Sequence, residues 1–471
     1  MSEYILGLDI GSTKIRAIIA KNDGIFAVLG VGQSDTLGIK KGVITNIEQA
    51  AGSIKQAVKA AVKGAGRSYD KAIISISGSY AKSVKSRGVI TMENEIGLDE
   101  IKRAMQVAEA QANVPSDSVI LHVLPYDFRV DEQEHIEDPL GMSGTRLEVS
   151  THIVIAPESS IKNLKKSVEM AGVKVDNIVL SGYASSISTL SKDEKELGVV
   201  LIDMGGATCD IVIHLGNSLR YNDVVMFGSN NVTNDLSRAL HTPLPYAENI
   251  KITYNDLINQ GNSEVELPAL GDSESENHII SLEIISQVIL ARVKETFDMI
   301  ADKIERSGYK DRIGAGIVIT GGMAKLDDVR DLAAIVFDNT SVRVARAKSV
   351  GGLHEIADDI SNSCALGLCM YGFGEFTPYE MDSNGKLRYK DEVINKAPKR
   401  NVNEYYEKEV SKAIEKEGVR TDSGAAKKED LNIQLPKKDG QNFFNKICCI
   451  FFTFLPFGIY KLLNLVIIFW I

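Results

Sequence analysis

Asp203, Gly205, Gly206 and Thr208 stand at the turn of the stretch VVLIDMGGATCDIVI, residues 199–213, between two apolar runs. Strand, carboxylate, paired glycines and strand again describe a β-hairpin with a polar tip. Residues without a Cβ let backbone N–H groups come close to an anion, and a carboxylate at the strand end can hold a divalent cation over it. Alone, the pattern more often marks a tight turn and nothing else. It gains meaning by repetition: near the N-terminus YILGLDIGSTKIRAIIA, residues 4–20, carries Asp9, Gly11, Ser12 and Thr13 between two further apolar runs. Too distant to form one supersecondary unit, the hairpins imply two lobes that clamp a triphosphate, with Asp9 and Asp203 approaching one Mg²⁺ through its waters. Lys14, beside the first tip, is either a point charge for phosphate or a solvated strand lysine.

A third segment, GIVITGGMAKL at residues 316–326, ends a short apolar strand on Gly321 and Gly322, which lets backbone lie flat against a ligand ring. In this order the three segments resemble phosphate motif one, phosphate motif two and the adenosine motif of the actin, Hsp70 and sugar-kinase superfamily. Within it the chain resembles the FtsA family of actin-like bacterial division proteins, supported by SGSYAKS at 77–83, VTNDL at 232–236, and Ala247, Glu248, Ile250 and Lys251. The resemblance covers roughly residues 3–375. It implies an α/β, two-lobed actin-like ATPase fold that binds ATP and Mg²⁺. Carried over by position, its site is Asp9, Gly11, Ser12, Thr13, Lys14, Asp203, Gly205, Gly206, Ala207, Thr208, Gly228, Glu248, Lys251, Gly321, Gly322 and Met323, with Asp9 and Asp203 on the metal. Ser229 departs from the glycine pair usual after Gly228, although Ser and Asn still suit a helix N-cap. Glu248 and Lys251 contact the nucleoside sugar by resemblance, or form an exposed i, i+3 ion pair.

The same resemblance implies self-assembly into a polymer, recruitment of other division proteins, and capture of the FtsZ tail peptide on the outer part of the second lobe. It places the chain at the cytoplasmic face of the cell membrane, at the division site. The alternative is an ATP-dependent kinase or chaperone-like ATPase of the same superfamily. No Glu or Gln is fixed by motif as a catalytic base between the hairpins, so slow hydrolysis is the most to expect.

Composition narrows the choice. A formal net charge of −10 argues against broad nucleic-acid binding, which needs a basic stripe. The opening MSEYILGLDIG lacks the basic and apolar regions of a signal peptide, which points to the cytoplasm. Cys209, Cys364, Cys369, Cys448 and Cys449 are odd in number and lack metal-type spacing, as free thiols in a reducing compartment would.

These motifs need elements to carry them. Residues 1–80 read as the first lobe, whose helix at 47–62 keeps Ala50, Ile54, Ala57 and Ala61 on one stripe. Residues 81–160 read as strand, helix and two strands, a small α+β subdomain inserted in that lobe; His122, His135 and His152 within it have no metal-site spacing. By resemblance it serves polymer contacts, and otherwise it is a scaffold insertion. Residues 161–195 return to the first lobe and cross to the second, which takes residues 196–375. A loop is expected at 259–277, then a long helix at 281–307 with Arg292, Lys294, Asp298, Lys303 and Arg306 outward.

Beyond the lobes the composition changes. Residues 376–442 are rich in Lys, Glu, Asp and Asn and read as a flexible linker, while 443–471 form an almost wholly apolar tail that opens with FFNKI. As a helix, 447–471 would extend roughly 37 Å, against a hydrocarbon core of about 30 Å. Pro456, Gly458 and Lys461 interrupt it, so a spanning helix, a hairpin and a deeply buried surface helix all stay open. Lys437, Lys438 and Lys446 before it would keep the preceding domain cytoplasmic.

Overall fold

A computed structural model describes residues 3–389, apart from 94, 271–276, 339, 349 and 350. The tail expected at 443–471 and the linker from 390 onward lie outside the described residues.

Two sheets repeat one topology. In the first lobe, Phe26–Asp35, Lys14–Asn22 and Tyr4–Ile10 run antiparallel in that order, then Lys71–Ile76 and Asn177–Leu180 add in parallel. In the second, Ser218–Val225, Cys209–Leu215 and Val199–Met204 are antiparallel, followed in parallel by Gly316–Thr320 and Val342–Val344. The central strands are unbroken apolar runs because both faces are covered.

Local chemistry fixes the helices that cover them. Ile47–Ala65 begins where the Asn46 side chain accepts from the Gln49 N–H and stops at Gly66, whose φ of 66° suits a residue without a Cβ. Its alanine face lets the sheet come close: a Cβ at Gly32 would lie 1.9 Å from the Ala57 carbonyl. Between the lobes, Ser181–Thr189 packs against Ser363–Gly372, where a Cβ at Gly367 would lie 1.8 Å from the Ala184 carbonyl. Small residues there bring two buried helices into backbone contact, and the hydroxyls of Ser186, Ser188 and Thr189 are satisfied by nearby carbonyls.

The insert is a separate sheet in the order Lys82–Thr91, Arg146–Pro157, Ser118–Val130 and Gln133–Ile136, backed by helix Leu98–Gln111. It has its own core of Ile90, Ile101, Met105, Leu147 and Ile153. Short strands escape the sequence reading, among them Gln133–Ile136 and the pair Glu264–Pro268 and Asn277–Ser281, which forms where a loop was expected.

The linker expected from residue 376 is corrected at its start. Residues 376–389 are packed, with Thr377, Glu380 and Asp382 buried and Met381 exchanging both backbone hydrogen bonds with Val123 of the insert. Glu380 accepts from the hydroxyls of Tyr183 and Tyr371, and Arg388 lies over the rings of Tyr371 and Phe376. A charged composition reads as solvated, but here Glu380, Asp382 and Arg388 have buried partners. Among the described residues no helix is long and apolar enough to cross a membrane.

Candidate functional site

Asp9 ends the first strand of its lobe, opposite Arg16 in the hairpin register. Ser75, at the end of the neighbouring parallel strand, donates its Oγ to Asp9 Oδ1 at 3.0 Å and accepts the Ile10 N–H at 2.8 Å. Burial pushes the Asp9 carboxyl up, opposed by Arg16 and by hydrogen bonds from Ser75 and Cys364. At the tip, Thr36 Oγ1 donates to the Gly11 carbonyl, and Ser12 Oγ accepts the Gly42 N–H at 2.6 Å.

Asp203 occupies the matching place in the second lobe, but its register partner is another carboxylate, Asp210. Ser185, on the helix joining the lobes, donates to Asp203 Oδ2 at 2.5 Å. Burial raises Asp203 to about 6, Ser185 works against it, and the charge of Asp9 adds to the rise. Burial and then Asp203 push Asp210 to about 7. Carboxylates from both lobes thus sense one another at one place.

The glycines mark the closeness of the packing. Gly205 closes its turn by donating to the Thr208 carbonyl, and a Cβ at Gly206 would lie 1.8 Å from Thr13 Oγ1 of the other lobe. Thr13 also donates to Asn230 Oδ1 at 3.3 Å, so the two tips touch. Ser229 and Asn230, in the first turn of helix Ser229–Ala239, donate their N–H groups to the carbonyls of Gly205 and Gly206. The tight approach falls on Gly228, where a Cβ would meet Gly205 O at 2.6 Å; Ser229 therefore costs nothing in approach. Gly321 has φ of 93°, and a Cβ there would lie 2.4 Å from Asp203 Oδ1, so the third segment joins the same place. Gly322 and Met323 follow in its 3₁₀ turn, Met323 buried, while Ala207 and Thr208 are buried at the second tip.

Glu248 and Lys251 form an i, i+3 pair at 2.7 Å, but not an exposed one: the Lys251 side chain is 9 % accessible. Its ammonium also donates to Thr233 Oγ1 and the Ser229 carbonyl, while Thr233 donates to Glu248. Burial pushes the Lys251 pKa down, Glu248 opposes this, and the charge of Lys14 adds to the fall, which puts one lysine from each lobe within electrostatic reach. The cations expected outward on helix Leu282–Ser307 all have carboxylates: Arg292 holds Asp235 and Glu295, Lys294 holds Asp298, Lys303 holds Asp223, and Arg306 holds Asp302.

Sequence reasoning missed Ser75, Ser181, Ser185, Asn230 and Asp210. Only Asp210 left a signal, since closing the turn over residues 205–208 already pairs it with Asp203. A cavity of about 560 Å³, lined by Lys325, Arg346, Glu355, Asp358 and Asp359, borders the third segment through Ala324 and Lys325 but includes no hairpin residue. Cys209, Cys364 and Cys369 are buried free thiols held protonated by burial.

The residues present fit a magnesium nucleotide. Crowded carboxylates with raised pKa call for a cation, and bare backbone at Gly206, Gly228 and Gly321 forms close-packed turns around them. Among the described residues no group of three or more His, Cys, Asp or Glu side chains is placed to hold a metal ion.

Two lobes of one topology, carboxylate-bearing hairpins meeting between them and a pair of helices at their junction make this an actin-like fold. A chain of the PilM–PilN type IV pilus biogenesis complex shares it at a TM-score of 0.56 and 15 % identity, over 78 % of this chain and 98 % of that one. Family profiles are more specific: "SHS2 domain inserted in FTSA" matches residues 78–155, and "Cell division protein FtsA" matches residues 200–367. Cell division protein FtsA of Helicobacter pylori is 41 % identical, over 85 % of this chain and 88 % of its own. That of Pseudomonas aeruginosa is 37 % identical over 79 % and 89 %, and that of Escherichia coli 31 % over 79 % and 90 %. The chain belongs to the FtsA family of cell division proteins.

Proposed function

We propose that the chain is an ATP-binding, self-assembling adaptor that tethers FtsZ to the cytoplasmic membrane and helps assemble the division ring. The observation that supports this best is the contact of the two aspartate-bearing hairpins, where Thr13 of one tip meets Gly206 of the other, in a chain of this family.

Asp9 and Asp203 are the residues that would hold Mg²⁺, through its waters, and the ion would supply charge neutralisation to the phosphates. The other steps belong to the chain. Backbone at Gly11, Ser12 and Thr13 and at Gly205, Gly206, Ala207 and Thr208 faces the phosphates, with Lys14 adding charge. Lys251, fixed by Glu248 and Thr233, binds at the sugar, and Gly228 brings its helix near. Gly321, Gly322 and Met323 lie along the base. Closure of the lobes on ATP then licenses polymerisation. The FtsZ tail docks on the outer part of the second lobe, the insert receives other division proteins, and residues 443–471 bind the membrane.

Fluorescence anisotropy of a labelled FtsZ tail peptide with the full chain tests the adaptor role, with saturable binding expected and none at millimolar peptide overturning it. Liposome flotation tests the anchor: the full chain should float and a chain lacking 443–471 should not. A truncated chain that still floats removes the tail from the membrane role.

A further inference from the structure

Aspartates from opposite lobes hold one short segment. Ser75 of the first lobe donates to Asp9, and three residues on the Gly78 N–H donates to Asp210 Oδ1 of the second lobe at 3.0 Å. From there the chain leaves the first lobe and becomes the insert's edge strand, Lys82–Thr91. The other Asp210 oxygen accepts from Ser181 Oγ at 3.0 Å, on the helix that joins the lobes. Space around this carboxylate is minimal: a Cβ at Gly78 would lie 2.2 Å from Oδ1, and one at Gly182 would lie 3.2 Å from the Asp210 Cβ.

Contact between the insert and the second lobe continues beyond this point. His152 of the insert and Asn222 of strand Ser218–Val225 share a buried hydrogen bond of 2.7 Å. Arg220 lies over the Tyr126 ring at 4.2 Å, and Lys85 donates to the Tyr309 hydroxyl at 3.0 Å. The insert is therefore covalently part of one lobe yet fastened to the other.

We propose that Asp210 is a positioning residue that couples the nucleotide site to the insert, carrying each change in the separation of the hairpin tips to the insert's root at Gly78. This rests on the nucleotide reading above and adds where ligand state is felt. The physical reason is that Asp203 and Asp210 are register partners on one stiff hairpin, so whatever shifts Asp203 shifts Asp210. A backbone N–H buried against a carboxylate is costly to orphan, so Gly78 follows its acceptor. What matters is acceptance of a hydrogen bond, which an amide oxygen can also supply.

Hydrogen exchange over residues 77–92 of the full chain, with and without saturating Mg²⁺ and ATP, tests this beside titration of a fluorescent ATP analogue. In the wild type, exchange at the root should slow by about tenfold on binding. In Gly78→Ala the new methyl pushes the carboxylate aside; that variant should bind the analogue within about threefold of wild type yet lose the exchange response. Asp210→Ala should also lose the response, and Asp210→Asn should keep it. A Gly78→Ala chain that responds like wild type overturns the coupling. So does an Asp210→Asn chain as unresponsive as Asp210→Ala, because charge and not acceptance would then be at work. Wild type that binds the analogue with no change at the root overturns the coupling alone, whereas wild type that binds no ATP removes the nucleotide reading and the coupling with it.

Discussion

In the first lobe Asp9 faces Arg16 across its hairpin, while in the second Asp203 faces Asp210 across a hairpin of the same topology. The shared frame aligns two tips and leaves the charge to the side chains. In one lobe a guanidinium partly offsets the charge of the carboxylate, and the other brings two carboxylates that repel. The cation proposed between the tips would therefore meet a different charge balance on each side.

That asymmetry gives the largest expected effect. Asp9→Ala leaves Arg16 unbalanced beside the ion and should weaken Mg²⁺-dependent ATP binding by about a hundredfold. Asp203→Ala leaves Asp210 as a remaining anion and should cost about tenfold. Titration of a fluorescent ATP analogue with and without Mg²⁺ compares them, and equal losses would erase the distinction between the lobes.

The next effect concerns the protein free of nucleotide. A carboxyl raised from 3.8 to about 6 on folding keeps its proton where the unfolded chain has lost it. Its contribution is whole below pH 3.8 and declines as pH rises through 6. Asp203→Asn removes that burden and should stabilise the chain by about 2 kcal/mol at pH 8, with no gain at pH 4. Thermal unfolding across this range checks it; a gain at pH 4 as large as at pH 8 would show that the burial of a charged carboxylate is not its source.

The seam between insert and second lobe titrates in the other direction. Burial lowers His152 from 6.5 to about 4, so its stabilisation is whole above 6.5 and fades as pH falls toward 4, where the unfolded chain takes up the proton first. Between pH 6.5 and 5 this should cost about 2 kcal/mol. His152→Gln should flatten that limb in the same unfolding experiment, and an unchanged slope would assign it to other groups.

Much of this was legible because hairpins, unlike most tertiary features, announce themselves locally. An apolar run, an aspartate, glycines and a second apolar run specify strand, tip and strand with no distant information. Lys251 was only half legible: its spacing from Glu248 suggests a surface pair, and its burial depends on Thr233 and Ser229, which reach it through tertiary packing. Ser75 was not legible at all, since it touches Asp9 only because two strands distant in sequence lie in parallel. Residues 376–389 misled for a related reason. Glu380 and Arg388 look like solvated charges until Tyr183, Tyr371 and Phe376 arrive from elsewhere to receive them.

The packing of that same segment has a mechanical side. Met381 is stitched to Val123 in the insert, and Asn177 of the first lobe's sheet binds Asp382. Tension applied through the chain's C-terminal continuation would load these bonds first, ahead of either hairpin, and the segment would serve as strain relief for the two lobes.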